Sequence, residues 1–198
     1  MSIDFANTAD EGKYSLHGGA SVRSDGSTWA LRIDKDGPHA EIPVDINPSQ
    51  MPRCTLEIWV KLAKIANNRG WLFGNEVGGF DRTILMHNSR CGGGVALALG
   101  NKTKNMGMVP PKLGQWLHVV GIFRQEAPSY VYVDGVRSES VVANNRPSGA
   151  QKKLWLGRPR HRNHWVDCWV KAVRVYDCAL PDYAVQRLYK SGMPVRQR

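Results

Sequence analysis

From residue 21 onward the chain is a succession of short apolar runs, each broken within a few residues by Gly, Pro, Asn or Asp. That punctuation leaves no room for a bundle of amphipathic helices and predicts short strands joined by turns. The clearest local signal is Tyr130-Val131-Tyr132-Val133-Asp134-Gly135-Val136-Arg137. Asp-Gly between alternating residues is a favoured two-residue hairpin, because Gly accepts the positive φ that a type I′ turn requires. Further strands are predicted over residues 30–33, 39–44, 55–61, 71–73, 82–87, 95–99, 116–123, 154–157 and 169–176. Within 55–61 the alternation places Leu56, Ile58 and Val60 on one face and Glu57 on the other. Only 181–192 reads as a helix. Pro181 suits its first turn, Asp182 complements the dipole, Gly192 suits its end, and Val185, Leu188 and Tyr189 form an apolar stripe. The fold class expected is all-β: an antiparallel β-sandwich of the jelly-roll kind with one short C-terminal helix.

At 198 residues, with 42% hydrophobic and 22% charged, the chain can bury a core without disulfides or metal. No apolar run approaches the length of about 18 residues that a membrane-spanning helix needs. The expected organisation is a polar N-terminal arm over 1–20, the sandwich domain over 21–192 and a basic tail over 193–198. The N-terminus carries Asp4, Asp10 and Glu11 and lacks a basic start, an apolar stretch and a small-residue cleavage site, so an intracellular location is expected. Cys54, Cys91, Cys168 and Cys178 form no close C-x-x-C pair, which argues against a zinc site and for free thiols. No H-E-x-x-H, Walker loop or G-x-S-x-G occurs, and Gly92-Gly93-Gly94 lacks the Lys-Ser/Thr ending that grips phosphate. Asp81 and Asp134 lie in no Asp-rich loop, so neither calcium, another metal nor a cofactor is expected.

Charge is uneven. Residues 1–100 hold 10 Lys/Arg and 11 Asp/Glu, whereas 101–198 hold 17 and 6, which together give the net charge of +10. A one-sided excess of this kind points to an acidic partner. Its focus is Lys152-Lys153-Leu154-Trp155-Leu156-Gly157-Arg158-Pro159-Arg160-His161-Arg162-Asn163-His164-Trp165. Pro159 denies this stretch a helix, and an extended chain puts Arg158, Arg160 and Arg162 on one side. Lys152, Lys153, Arg158, Arg160, His161, Arg162, His164 and Trp165 are therefore the candidate binding residues, with Trp165 or His161 able to stack on a base or sugar ring. The same row could dock an acidic protein surface, or remain a solvated loop. Two functions stay open. One is an interaction subunit of a larger multi-subunit complex, a nucleoprotein being one such assembly, with nucleic acid or an anionic glycan among the candidate partners. The other is a lectin-like module for carbohydrate or polyanion.

The order of the pieces resembles the laminin G-like branch of the concanavalin A-like lectin/glucanase superfamily. The resemblance is carried by Ala30-Leu31-Arg32-Ile33 with Glu41-Ile42-Pro43, by Thr55-Leu56-Glu57-Ile58-Trp59-Val60-Lys61, by Gly114-Gln115-Trp116-Leu117-His118-Val119-Val120-Gly121, by Tyr130-Val131-Tyr132-Val133-Asp134-Gly135, and by Leu156-Gly157-Arg158 with 173–180 and the helix after it. It implies a sandwich with Trp59 and Trp116 filling the space between the sheets, each burying on the order of 200 Å². His118, in an apolar strand, is expected to be a hydrogen-bonded packing residue, and Glu57 to need an Arg or backbone partner.

The family's pairing of first and last core strands implies that 54–61 lies antiparallel to 170–178. That brings Cys54 near Cys178, where two reduced thiols are expected. The family's closing strand usually carries Gly and acidic residues. Cys168, Lys171 and Ala172 stand there instead, implying a surface turned basic. The superfamily's glycosidases carry E-x-D-x-x-E on one strand, and this chain has no such string. Its nearest approach, Glu41 and Asp45, is interrupted by Pro43. A non-catalytic module is expected.

Overall fold

The computed structural model describes residues 1–34, 37–64, 69–75, 82–87, 94–99, 102–105, 112–125, 127–138, 141–142, 152–157 and 165–192. Among them, two antiparallel sheets pack face to face. The first runs β13 (Val136–Arg137), β12 (Pro128–Val133), β11 (Trp116–Arg124), β6 (Arg53–Leu62), β16 (Cys168–Tyr176), β4 (Trp29–Ile33) and β3 (Ser21–Ser24). To it β1 (Ser2–Asp4) adds beside β16, and β14 (Val141–Val142) beside β12. The second runs β10 (Lys102–Asn105), β9 (Gly94–Leu99), β8 (Arg82–His87), β7 (Arg69–Gly74), β15 (Leu154–Leu156), β5 (His39–Ile42) and β2 (Ser15–His17). One helix, α1 (Asp182–Lys190), follows β16.

The core between the sheets is made by alternate residues of each strand. Leu56, Ile58, Val60 and Leu62 of β6 and Leu117, Val119 and Phe123 of β11 meet Phe73, Ile84, Leu97 and Leu156 of the other sheet. Gly121 of β11 faces the other sheet at close quarters. A Cβ there would lie 2.9 Å from Ile84 and 3.0 Å from Leu97 and from Phe123.

The same parity corrects the expectation for the tryptophans. Since Ile58 and Val60 face the core, Trp59 must face away from it. Trp59 is buried, but on the outer face of the first sheet, its ring 4.8 Å from that of His118. Trp116 is half-buried on that same outer face, with Lys61 Nζ 5.4 Å from its centroid. The inter-sheet core is aliphatic, with Phe rather than indole as its aromatic component. α1 covers the part of this outer face beside His118 and Trp59. Val185 packs against Val120, Ile122 and Tyr132, and Asp182 accepts hydrogen bonds from Tyr132 Oη (2.7 Å) and Arg137 Nη1 (3.1 Å).

The hairpin forms as predicted. Asp134 and Gly135 have φ of 50° and 76°, the type I′ signature, and Asp134 Oδ1 accepts the His118 backbone N–H at 2.9 Å. β5 ends at Ile42, earlier than expected. Pro43 has no N–H for the ladder, and Val44 turns back to donate to the Ile42 carbonyl.

Residues 1–20, expected as an arm, contribute a strand to each sheet. β1 pairs with β16 (Ile3↔Val173) and β2 with β5 (His17↔His39). β16 can take β4 and β1 along one edge because its register shifts between Val170 and Ala172. This bulge at Lys171 also reverses another expectation. Lys171 is fully buried and its Nζ lies 2.8 Å from Asp4 Oδ1, so it adds nothing to a basic surface.

β6 and β16 pair antiparallel with Thr55↔Tyr176. Cys54 points into the core while Cys178 lies exposed beyond the strand end. Both thiols, and that of Cys168, are free.

Candidate functional site

β15, between β7 and β5, anchors the basic stretch. Leu154 and Leu156 point into the core. Lys152 and Lys153 emerge exposed at its start, and Lys153 Nζ lies 2.8 Å from Glu41 Oε2. That cation, aided by the nearby His17 and His39 rings, holds the Glu41 carboxyl below its usual range despite its burial. Trp165 is half-buried with Lys64 Nζ 4.6 Å from its ring centroid. Arg158, Arg160, His161, Arg162 and His164 lie outside the described residues, as do Cys91 and Asp81. Three of the eight predicted residues can therefore be located: two lysines at one end of β15 and a tryptophan shortly before β16.

A second group escapes sequence reasoning. Arg32, Trp169, Lys61 and Trp116 stand directly opposite one another across β4, β16, β6 and β11. Arg32 lies 5.1 Å from the Trp169 ring, and Lys61 lies 6.0 Å from Trp169 and 5.4 Å from Trp116. This cation–aromatic row crosses the outer face of the first sheet. Each cation in it has a carboxylate partner: Arg32 with Asp167 (2.5 Å), Lys61 with Asp25, and the adjoining Arg23 with Asp34 (2.7 Å). The row is thus charge-matched. Each of its members is visible in the sequence as a strand residue, but only the register of four distant segments lines them up.

Further along that face, Glu57 is 1% exposed and accepts hydrogen bonds from Arg174 Nη1 (2.6 Å), Tyr176 Oη (2.8 Å) and His118 Nε2 (3.2 Å). Burial alone would raise its pKa. The His118, Arg174 and Tyr176 contacts together outweigh that and hold it below the ordinary carboxylate value, while Tyr176 is pushed up. The Tyr189 ring of α1 lies 6.0 Å from that of His118 at one end of this cluster, while Arg174 keeps about a quarter of its side chain in solvent at the other. His118 is the hydrogen-bonded packing residue expected, and Arg174 is the partner that Glu57 required. The other carboxylate pair considered, Glu41 and Asp45, does not share a strand face. Asp45 lies beyond β5, where its Oδ1 accepts the Asn47 N–H at 2.9 Å.

Against known proteins, a laminin G-like family model described as concanavalin A-like lectin/glucanases superfamily matches residues 34–186. The chain belongs to that superfamily. Its resemblance to the laminin G-like branch, drawn from scattered strand motifs, is thereby established, as is the sandwich fold. No curated protein sequence matches the chain. Among solved structures, the botulinum neurotoxin serotype D binding domain superposes with a TM-score of 0.70 at 12% identity, over 97% of this chain and 51% of that one. A Trypanosoma rangeli sialidase, solved in complex with the inhibitor DANA, gives 0.65 at 18% identity over 89% and 29%. The binding domain of botulinum neurotoxin DC in complex with SialylT gives 0.64 at 9% identity over 90% and 46%. This superfamily module thus spans about half or less of the length of these structures, and at such identities the likeness concerns the fold alone. Among the described residues no helix is long and apolar enough to cross a membrane.

Proposed function

We propose that the chain is a non-catalytic interaction module that docks an acidic partner through the basic stretch around β15, as a subunit of a larger intracellular assembly. The observation that carries this reading is Lys152 and Lys153 emerging side by side, exposed, from a strand rigidly held in the middle of a sheet, at the head of a stretch that continues through Arg158, Arg160, His161, Arg162, His164 and Trp165. Rigid presentation lowers the entropic cost of docking. The reading as non-catalytic is supported by the engagement of three carboxylates among the described residues. Glu57 pairs with Arg174, Glu41 with Lys153, and Asp25 with Lys61. Free thiols at Cys54, Cys168 and Cys178 fit a reducing compartment.

The test combines two measurements. Replacing Arg158, Arg160 and Arg162 together by Ala is expected to weaken retention on immobilised heparin and RNA and to flatten its salt dependence. The wild-type chain is expected to elute from native cell extract within a large particle and the variant to elute free. Unchanged retention and elution of the triple variant would reject the basic stretch as the docking surface.

A second reading is a lectin-like module, favoured by superfamily membership and by similarity to the binding domain in complex with SialylT. It predicts binding to defined anionic glycans by the isolated chain, with elution from extract as a monomer.

A further inference from the structure

We infer that His17, His39 and Glu41 form a binding site for a zinc-class divalent ion on the outer face of the second sheet. His17 and His39 are direct cross-strand partners on β2 and β5, and Glu41 follows His39 by two positions, so all three side chains share one face. Ala40 and Ile42, at the intervening positions, face the core. His17 Nε2 lies 3.8 Å from Glu41 Oε2 and His39 Nε2 lies 3.7 Å from Glu41 Oε1. One potential ligand atom from each residue falls within 4.8 Å of the others. Two ligands on a tetrahedral ion with bonds of about 2.0–2.1 Å stand roughly 3.3 Å apart. The two histidine–carboxylate separations exceed that by about half an ångström and the widest of the three, up to 4.8 Å, by more, so the side chains must rotate inward to close on the ion.

A second observation points the same way. His39 Nδ1 lies 2.8 Å from the Gly37 carbonyl oxygen. A carbonyl only accepts, so Nδ1 carries a proton, and Nε2 is the nitrogen that faces Glu41. Metal-binding histidines are typically held in this way, with the distal nitrogen on a carbonyl and the other on the ion. The two imidazoles are stacked, with centroids 4.9 Å apart and planes 14° apart.

Two imidazoles and one carboxylate make a three-ligand set that leaves a position open. Glu41 and Lys153 also line a recess of about 80 Å³ with Gly12, Tyr14, Ser15 and Pro43, adjoining the site on the Glu41 side. Lys153 is the competing cation on Glu41, but its side chain is 54% exposed and can turn to solvent as the ion enters. No sequence motif announces the site, because β2 and β5 meet only through long-range pairing. The site shares Lys153 with the basic stretch, but its three ligands lie outside that stretch and it needs no proposed partner.

The test is calorimetric titration of the full chain with zinc chloride, in a Cys178→Ser background so that an exposed thiol does not compete. Saturable binding of one ion per chain is expected, weakened at least about tenfold by His39→Ala, His17→Ala or Glu41→Gln. Far-UV circular dichroism of each variant without metal checks that the sheet is intact. In the unmutated histidines, long-range ¹⁵N correlation spectra are expected to show zinc bound at Nε2 of His39 with Nδ1 still protonated, a readout that does not depend on any variant folding. Absence of saturable binding, or binding unchanged when His17 and His39 are replaced, would overturn the inference.

Discussion

Arg174 and Glu57 face each other directly across the β6–β16 ladder, with Nη1 2.6 Å from Oε1. Glu57 is buried and Arg174 reaches solvent, so the carboxylate depends on the guanidinium more than the reverse. Removing one partner of a buried pair costs about 3–5 kcal/mol, because the charge left behind has lost its compensation. Arg174→Met is expected at the low end of that range, since His118 and Tyr176 still bond to Glu57. The folded pKa of Glu57 lies below its unfolded value, so the stability it contributes is present above the ordinary carboxylate range, near pH ~4.3, and is lost as pH falls through the folded value. Glu57→Gln should therefore lower Tm at pH 7 and reduce the further fall on acidification. A fall in Tm between pH 5 and acid conditions as steep as that of the wild type would show that the carboxylate is not the group responsible.

Gly121→Ala should destabilise by about 1–3 kcal/mol, because the added methyl meets Ile84, Leu97 and Phe123. Chemical denaturation measures it, and adding Leu97→Ala should recover part of the loss if the clash is the cause.

Trp59→Ala should cost about 3–5 kcal/mol, since the ring fills the space beside His118 on the covered outer face. Trp116→Ala, at a half-exposed position, should cost roughly half as much. Equal losses would contradict the difference in burial between the two indoles.

Burial pushes the Cys54 thiol up to about 11 and the Cys168 thiol up to about 12. Only the thiolate reacts, so neither should be alkylated in the native chain at pH 8, whereas exposed Cys178 should be. Peptide mapping after iodoacetamide treatment, with and without denaturant, checks this. Native labelling of Cys54 would mean that the strand bearing it opens.

Local rules of period, positive φ and capping account for the alternation in β6, the Asp134-Gly135 turn and the Pro181-to-Gly192 helix, and each appears where those rules put it. The need of Glu57 for a cationic partner is equally legible in the sequence, because an acid in a strand of apolar neighbours has to be compensated once it is buried. What covers each face is not legible there. Family resemblance puts Trp59 in the inter-sheet space, although Ile58 and Val60 already occupy that parity. Only the docking of α1 makes the other face dry enough for an indole. Lys171 reads as surface charge until β1 returns from the far end of the chain to bring Asp4 against it.

Apart from short strands such as β1 and β2, the sequence by itself determined which segments are strands, where they turn and which residues share a side. Those properties depend on neighbours a few positions away. The tertiary structure alone decided which distant side chains stand opposite one another: Arg32 beside Trp169, Arg174 beside Glu57, His17 beside His39. Cross-strand register is set by the packing of whole strands into one core, and a shift of a single residue in one strand would turn that strand's side chains to the opposite face, away from these partners.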